Sequence, residues 1–439
     1  MKKFSVILIM LTLVASMLAA CGQSSTGGNN PTDPSKAPSN TADNGGSKGK
    51  KTVHFWHSLG GGNGERIDEM IKRFNDSQDK IEVVGTFQGN YKETVTKLQQ
   101  AIAAKSAPEV AMIERAYIQM FSDSDVLEDL TPYVAKTNLD LNDFSEGLMG
   151  HSNFNDKLVS LPLNRSTPIL HVNKTMLDEL NLAIPTTWEE MADVASKLAI
   201  KEGNEYKRYG LSMPYDTWYP MAMITQAGGR FFNEEGTGLG FIDNGIGVKV
   251  FEELKKLQSN GGLYYPPATD SGNIVGSMFK EGKVGMLYQS TGTIGGFLSS
   301  VEFEYVTAFL PKEQVHANPT GGANVSMLNS GTNKDEAWEF INWMMTNEQG
   351  ALQFIIDTGY LPFTKSMTES KAIQDLWAKE PIRKTAYEQL QYAIDTNKAV
   401  AWTEVEQEFF SAIEAIMYDS KDIAATLDTL KKNTDRSFK

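Results

Sequence analysis

Polar and apolar residues follow two alternating patterns in the first part of the folded body. KTVHFWHS (51–58) alternates as a β-strand does, and ERIDEMIKRF (65–74) repeats apolar residues at the spacing of one helix face. A second strand (80–87), a second helix (91–105) and a third strand (109–114) follow. Strands that alternate with helices predict a parallel sheet with crossover helices, which is the opening of an α/β fold.

The middle of the chain mixes both patterns. Strand-like pieces over 155–175 precede a capping-box signature, in which Thr187 and Glu190 begin a helix. A further helix is predicted over 245–262 and a strand over 283–290. These segments extend the α/β organisation beyond the first sheet.

The last third is mainly helical. Helices are predicted over 334–350 and 351–358, with Gly359 as the C-terminal cap, and three more over 384–436. No internal repeat of about 20 to 50 residues is visible, which argues against a solenoid or a propeller.

The N-terminal residues have the composition of targeting and linker segments. Two lysines, an apolar stretch and small residues over 1–20 predict an export signal, and the LAAC that ends at Cys21 resembles the lipobox of bacterial lipoproteins. In that motif the cysteine receives lipid, palmitate included, so Cys21 is the predicted lipidation site. Residues 21–50 lack large apolar side chains and predict a flexible tether.

Length and charge limit the remaining possibilities. About 390 residues follow the tether, more than one core usually supports, so two lobes are expected. Forty-one basic and 55 acidic residues give a net charge of −14, which argues against nucleic acid as a partner. We expect a monomer that is attached to the cell membrane by its lipid, on the extracytoplasmic face.

The motifs of common enzymes and metal sites are missing from the sequence. It contains no phosphate-binding loop, zinc-protease helix, EF-hand loop or esterase elbow. His54 and His57 are the only near-neighbour histidines, and their offset of three places them on opposite faces of a strand. We therefore expect no metal and no cofactor.

Carboxylates keep one enzymatic alternative open. Glu404, Glu406 and Glu408 follow each other closely in helix-like sequence, where a solvated face is expected. A secreted lipoprotein glycan hydrolase would need two carboxylates that face each other across a cleft, and sequence alone does not exclude that arrangement.

Aromatic and hydroxyl residues recur between regular elements, where α/β proteins bind ligands. Rings cover the C–H faces of polyhydroxylated molecules, and hydroxyl groups pair with their oxygens. The recurring residues are Tyr91, Ser166, Thr167, Trp188, Trp218, Ser290, Thr291, Tyr360 and Trp402.

Short motifs along the body resemble those of one family. They are FWHS (55–58), GNY (89–91), AP (107–108), STP (166–168) with NK (173–174), TW (187–188), GGA (321–323) and TGYLPFTK (358–365). In this order they resemble the extracellular solute-binding proteins of ABC importers, with most similarity to the sn-glycerol-3-phosphate binders.

The resemblance implies a two-lobed, periplasmic-binding-protein-like α/β fold with crossing hinge segments and no enzymatic activity. Residues 51–165 with about 300–350 would form the first lobe, and 166–299 with about 351–439 the second. A small polar solute, a sugar or a glycerol-phosphate compound, would bind between the lobes and pass to an ABC permease.

The resemblance also implies the ligand-binding residues. Two assignments differ from the family pattern. The ungapped match to a family glutamate is Arg115, which lies one position after Glu114. The region that matches a phosphate-binding arginine of the family, residues 396–407, contains no arginine. Arg165, in the stiff stretch PLNRSTPIL (162–170), is therefore expected to point into the cleft and supply positive charge. The predicted ligand contacts are Tyr91, Glu114, Arg165, Ser166, Trp188, Trp218, Ser290, Gly322 and Tyr360.

Overall fold

The structure is a computed structural model that describes residues 49–394 and 401–438. The predicted signal, Cys21, most of the tether and residues 396–400 of the C-terminal match lie outside these ranges.

Strands and helices alternate along the described residues. The strands are β1 (Lys51–His57), β2 (Ile81–Phe87), β3 (Val110–Glu114), β4 (Asn153–Phe154), β5 (Lys157–Leu158), β6 (Leu161–Pro162), β7 (Pro168–Asn173), β8 (Ile200–Glu202), β9 (Glu205–Ser212), β10 (Leu263–Tyr264), β11 (Val284–Ser290), β12 (Tyr305–Ala308), β13 (Asn318–Pro319), β14 (Ala323–Met327) and β15 (Ala393–Ile394). The helices are α1 (Gly61–Ser77), α2 (Tyr91–Ala103), α3 (Ile118–Asp123), α4 (Thr131–Thr137), α5 (Lys174–Glu179), α6 (Trp188–Leu198), α7 (Trp218–Gln226), α8 (Ile246–Ser259), α9 (Ser271–Lys280), α10 (Ile294–Leu298), α11 (Lys334–Thr346), α12 (Gln353–Asp357), α13 (Lys365–Glu369), α14 (Lys371–Lys379), α15 (Pro381–Glu388), α16 (Trp402–Met417) and α17 (Ile423–Thr434).

The first sheet has the strand order β2-β1-β3-β14-β6. β1 pairs in parallel with β2 and β3, which confirms the sheet predicted from the first three strands. β14 joins it antiparallel from about 200 residues later, next to β3. Helix α1 buries Ile67, Met70, Ile71 and Phe74 against this sheet, so the helical periodicity of the sequence marks its core face.

The second sheet has the order β10-β9-β11-β7-β12, with β8 beside β9. Every residue of β7 is buried, as expected of a strand covered on both faces. Apolar residues of α16 pack in the core of this sheet, whereas α11, α12 and α14 pack on the first sheet. We call the first sheet with its helices the first lobe, and the second sheet with its helices the second lobe.

The segments that connect the lobes lie side by side. Ser166, between β6 and β7, forms an antiparallel bridge with Gly321, between β13 and β14. β13 in turn pairs in parallel with β15, which follows α15. Three connecting segments are therefore hydrogen-bonded to one another at one edge of the cleft.

One local prediction is wrong and another holds only in part. Helix α12 ends at Asp357, Thr358 has φ −107° and ψ −113°, and Gly359 is not left-handed, so it is not an αL cap. A Cβ at Gly359 would lie 2.3 Å from the Thr291 carbonyl oxygen, so the glycine permits close backbone contact instead. The helix predicted near 385–394 is α15 up to Glu388 and a 3-10 turn over Gln389–Tyr392; only Ala393 and Ile394 are extended, because they pair with β13.

Candidate functional site

Two tyrosines and two asparagines form one hydrogen-bonded group in the cleft. The Asn164 side-chain amide donates to the Tyr91 hydroxyl at 2.7 Å. The Asn63 amide donates to the Tyr360 hydroxyl at 3.4 Å and to the Gly292 carbonyl at 3.2 Å. Since Asn63 is in α1 of the first lobe and Gly292 follows β11 of the second, this contact joins the lobes across the cleft.

The connecting segments fix the position of this group. Asn164 is fully buried, and its side-chain oxygen accepts a hydrogen bond from the Ala323 amide at 2.9 Å. Gly322 has φ +86°, and a Cβ there would lie 1.9 Å from the Asn164 carbonyl oxygen. Only glycine fits this contact, so the Gly322 backbone packs directly on the connecting segment between β6 and β7 and fixes its position.

Arg165 is on the connecting segment between β6 and β7, and its side chain is buried. It is 1% exposed, and its guanidinium donates to the Thr320 hydroxyl at 3.1 Å and to the Asn324 side-chain oxygen at 3.3 Å. Burial raises the pKa values of Tyr91 and Glu114, and the positive charge of Arg165 opposes this rise. The expected contact between Arg165 and a solute stays a prediction.

Glu114 and Arg115 differ in exposure at the end of β3. The Glu114 side chain is 18% exposed, and its carboxylate accepts from the Ala116 amide at 2.8 Å. Arg115 is 1% exposed and donates to the Thr320 carbonyl at 2.8 Å, with His151 Nε2 2.8 Å from its Nη1. Of the two residues, Glu114 is thus the more accessible.

The second lobe contributes two further acidic residues. Asp216, before α7, accepts from the Trp218 amide at 2.9 Å. Glu406, in α16, accepts a hydrogen bond from the Tyr117 hydroxyl of the first lobe. This second cross-lobe contact lies beside a third, in which Lys92 Nζ donates to Gln407 at 2.5 Å.

These carboxyl groups influence one another. Burial raises the pKa of Glu406 to about 8, and the charges of Glu114 and Asp216 act in the same direction, against the Tyr117 hydrogen bond and Lys92. Burial also raises the pKa values of Glu114 and Asp216. Glu406 therefore binds a proton at neutral pH more readily than an exposed glutamate does.

The two predicted serines lie on different segments. Ser166 is on the connecting segment between β6 and β7. Ser290 ends β11, and its hydroxyl accepts from the Gly292 amide at 3.2 Å. A Cβ at Gly321 would lie 2.4 Å from the Trp218 ring, so that indole contacts the second connecting segment.

Trp188 is set apart from this group. Its indole nitrogen donates to Gln226 Oε1 at 3.0 Å, and it borders a groove of about 440 Å³ between α6 and α8 that none of the other predicted contacts lines. Its role as a wall of the solute site stays a prediction.

Sequence reasoning missed five residues of the candidate site: Asn63, Tyr117, Asn164, Asp216 and Glu406. The expectation of a solvated glutamate face is wrong for Glu406, which is partly buried against Tyr117. Asn164 had a signal, because it lies in the proline-bounded stretch already singled out. The partners of Asp216 and Glu406 come from distant segments, so their own sequence neighbourhoods carry no signal.

The described residues lack the features of a metal site and of a membrane span. They contain no group of three or more histidine, cysteine, aspartate or glutamate side chains placed to hold a metal ion. No helix within them has both the length and the apolar composition needed to cross a bilayer.

Comparison with a family model gives the identification. The model described as bacterial extracellular solute-binding protein matches residues 69–381, more than half of the chain. This chain belongs to that family. Its members are described as binding solutes outside the cytoplasm.

Relatives in the family are similar along most of their length. The sn-glycerol-3-phosphate-binding periplasmic protein UgpB of Agrobacterium fabrum is 23% identical over 411 residues, which cover 88% of this chain and 92% of the relative. UgpB of Escherichia coli K12 is 23% identical over 366 residues, covering 77% and 80%.

Solved structures confirm the two-lobed fold. UgpB of Mycobacterium tuberculosis in complex with glycerophosphocholine superposes with a TM-score of 0.80 at 23% identity and covers 89% of this chain and 98% of its own. An ABC substrate-binding protein of Listeria monocytogenes in complex with cycloalternan also reaches 0.80, at 22% identity, covering 88% and 99%. At this identity the likeness establishes the fold.

Proposed function

We propose that this solute-binding protein is the lipid-anchored capture component of an ABC importer and delivers a sugar or glycerol-phosphate type solute to a membrane permease. The observation that carries the proposal is the cleft, in which polar groups of both lobes meet: Asn63 with Gly292, and Tyr117 with Glu406. A solute that contacts both walls binds the closed arrangement better than the open one and shifts the population toward it.

The lobe boundaries are part of the proposal. The expected division at 165/166 is supported by the bridge between Ser166 and Gly321, where the first connecting segment meets the second. We now place the return to the first lobe near residue 320, since β12 pairs with β7 of the second sheet. We likewise extend the first lobe to the end of α14, because Ile373 and Trp377 pack in its core.

A thermal-shift screen of the purified full-length protein tests solute capture. The panel contains maltotriose, cycloalternan, sn-glycerol 3-phosphate and glycerophosphocholine. A ligand at about 100 times its dissociation constant stabilises the folded state by about 2.7 kcal/mol, so a true ligand raises the melting temperature by a readily measured amount. If no member of such a panel, extended to other sugars and phosphodiesters, changes the melting temperature, the proposed solute class is wrong.

The same preparation tests the hydrolase alternative. Neither the matched family nor the similar proteins support it, although three carboxyl groups lie near one another in the cleft. We expect any bound oligosaccharide or phosphodiester to be recovered intact after prolonged incubation. Release of shortened glycans or free glycerol would contradict the binding function.

Membrane attachment through Cys21 is proposed from the LAAC motif, which lies outside the described residues. We expect labelled palmitate to be incorporated and the protein to fractionate with membranes on the extracytoplasmic side. Cys21→Ala should release the protein in soluble form. Unchanged membrane fractionation of Cys21→Ala would contradict the lipid anchor.

A further inference from the structure

We infer that Arg383 is a positioning residue for the candidate site, because it holds the Thr358 carbonyl against the second lobe and thereby fixes Tyr360 in the cleft. This role rests on the proposed solute-capture function, in which Tyr360 is a predicted ligand contact. Arg383 and Thr358 are not among the predicted ligand contacts. Their role follows from the packing of residues 358–363, from the contacts of Arg383 and from the way in which Tyr360 is attached to Thr358.

The segment 358–363, which joins α12 to α13, has contacts with both lobes. The side chains of Tyr360 and Phe363 pack in the core of the first lobe. Leu361, between them, packs instead in an apolar cluster with residues of β7, β11, β12 and α15 of the second lobe. The Leu361 amide also donates to the carbonyl of Arg165, on the connecting segment between β6 and β7, at 2.8 Å. The segment therefore crosses the boundary between the lobes, and its contacts with the second lobe decide where Tyr360 lies.

Arg383 holds the first residue of this segment. Its Nη1 donates to the Thr358 carbonyl at 2.7 Å, and its Nε donates to the Glu380 carboxylate at 2.6 Å. The Arg383 side chain is only 10% exposed, so water competes little for these donors. A guanidinium is a rigid planar fork, so its bond to Glu380 also fixes the direction of its bond to Thr358. We call these two hydrogen bonds, Glu380–Arg383 and Arg383–Thr358, the arginine clamp. It ties the end of α12 in the first lobe to α15 in the second.

Glycines of the second lobe let the same segment come close. A Cβ at Gly295, in α10, would lie 2.2 Å from the Thr358 carbonyl oxygen, and a Cβ at Gly292 would lie 2.5 Å from the Tyr360 ring. Thr358 is buried, so its carbonyl oxygen lies between the α10 backbone and the Arg383 guanidinium. A buried carbonyl that loses its donor is destabilised, so removal of the guanidinium should displace Thr358 from α10.

The position of Thr358 determines that of Tyr360. The Thr358 hydroxyl donates to the Phe354 carbonyl at 2.8 Å and accepts from the Tyr360 amide at 3.3 Å. The Tyr360 ring stacks on the Phe354 ring with their centres 5.6 Å apart, and its hydroxyl accepts from the Asn63 amide at 3.4 Å. Tyr360 thus enters the cleft from a backbone that is fixed two residues earlier. A displacement of Thr358 would move the Tyr360 ring relative to both Asn63 and Gly292, which belong to opposite lobes.

Hydrogen–deuterium exchange of the purified full-length protein tests the arginine clamp without any solute. In Arg383→Ala we expect the amides of residues 358–363 to exchange about tenfold faster, because local opening of this segment becomes more favourable. Exchange in β1 and α1 should stay unchanged. Arg208→Ala is the matched control, since Arg208 Nε also donates to a helix-terminal carbonyl, that of Leu198, at 2.7 Å in the second lobe. Unchanged exchange of 358–363 in Arg383→Ala, or equal acceleration in both variants, would overturn the inference.

The position of Tyr360 has a readout of its own. The protein is labelled with 3-fluorotyrosine, and Tyr360→Phe assigns the Tyr360 signal in the fluorine NMR spectrum. We expect Arg383→Ala to shift this signal and Arg383→Lys to restore it in part, since a lysine ammonium still donates to the Thr358 carbonyl. Arg208→Ala should leave the signal in place. A Tyr360 signal that does not move in Arg383→Ala would remove the positioning role.

Glu380→Gln is the second variant, used if Arg383→Ala does not fold as judged by its melting curve. It keeps Arg383 but removes the carboxylate charge that orients the guanidinium. We expect residues 358–363 to exchange about threefold faster in this variant, because a neutral acceptor binds the guanidinium less strongly. Exchange at the rate of the unmodified protein would then count against the arginine clamp.

Solute affinity links the arginine clamp to the candidate site. Isothermal titration calorimetry uses maltotriose, cycloalternan, sn-glycerol 3-phosphate and glycerophosphocholine as probes. For a probe that binds, Arg383→Ala should weaken binding about tenfold, and should have no further effect in Tyr360→Ala, because the two residues act as one unit. Equal weakening in both backgrounds would show that Arg383 does not act through Tyr360 and would overturn the inference. Absence of binding by every probe would contradict the proposed function, whereas the exchange and fluorine measurements would still decide whether Arg383 positions Tyr360.

Discussion

Tyr117 of the first lobe donates a hydrogen bond to the carboxyl group of Glu406, which lies 289 residues later in the second lobe. Tyr117 is 4% exposed, and burial raises the pKa of Glu406 to about 8. The pair therefore brings a partly buried carboxyl group against the opposite wall of the cleft. Its formation requires the two lobes to be close, so the pair is a direct marker of the closed arrangement.

Removal of the Tyr117 hydroxyl should weaken the closed arrangement. Tyr117→Phe leaves the Glu406 carboxyl without this partner, which we expect to lower the free energy of unfolding by about 1–2 kcal/mol. Small-angle X-ray scattering of the unliganded protein should show a larger radius of gyration. Tyr133→Phe is the control, because the Tyr133 hydroxyl contacts Glu128 at 3.3 Å within the first lobe. An equal change in radius in both variants would show that the cross-lobe bond is unimportant.

The raised pKa of Glu406 predicts a pH dependence of stability. A glutamate in the unfolded chain has a pKa of about 4.3, so between that value and the folded value of about 8 the folded state holds the extra proton. Stability is then lost progressively as the pH rises from about 4.3 to about 8, and the loss is complete above 8. We expect the free energy of unfolding to fall by about 1.4 kcal/mol between pH 7 and 9.

Urea denaturation at each pH measures this loss. Glu406→Gln should remove most of it, and Glu404→Gln, an exposed glutamate of the same helix, should retain it. A pH slope that is the same in all three proteins would assign the effect to other groups.

The Asn164–Tyr91 pair should show energetic coupling. Asn164→Ala removes the donor to Tyr91 and the acceptor for the Ala323 amide. We expect it to cost about 2–4 kcal/mol of stability, because the buried Ala323 amide and the half-buried Tyr91 hydroxyl both lose a partner. In a double-mutant cycle with Tyr91→Phe, the coupling energy should be about 1 kcal/mol. The cycle of Asn164→Ala with Tyr133→Phe provides the comparison, and a coupling near zero in both cycles would refute the hydrogen bond.

Gly322 should be intolerant of any side chain. In Gly322→Ala the residue would keep a φ of +86°, which alanine rarely adopts, and its Cβ would lie 1.9 Å from the Asn164 carbonyl oxygen. The backbone at residue 322 or at Asn164 therefore has to move. We expect a loss of at least about 3 kcal/mol in thermal or urea unfolding. Gly62→Ala is the matched control: it lies in α1 with no atom within 4 Å of the new Cβ and should stabilise by about 0.5–1 kcal/mol. Equal stability of the two variants would contradict the described hinge geometry.

Local patterns by themselves determined much of the fold. Alternation and helical spacing predicted β1, α1, β2, α2 and β3, because burial of one face imposes a period on contiguous residues. The Thr187 capping box was also readable, since its two partners are three residues apart. Short motifs in order were enough to predict the solute-binding family, which the family model confirms.

Only the tertiary structure decided which distant residues meet. β14 enters the first sheet beside β3, and β15 extends the chain where helical spacing had predicted a helix, because pairing with β13 replaces the helical hydrogen bonds. In the sequence Glu406 is indistinguishable from neighbouring surface glutamates, and only the packing of α16 against Tyr117 sets it apart. Its exposure and pKa depend on neighbours about 190 and 290 residues away, and no local period records such contacts.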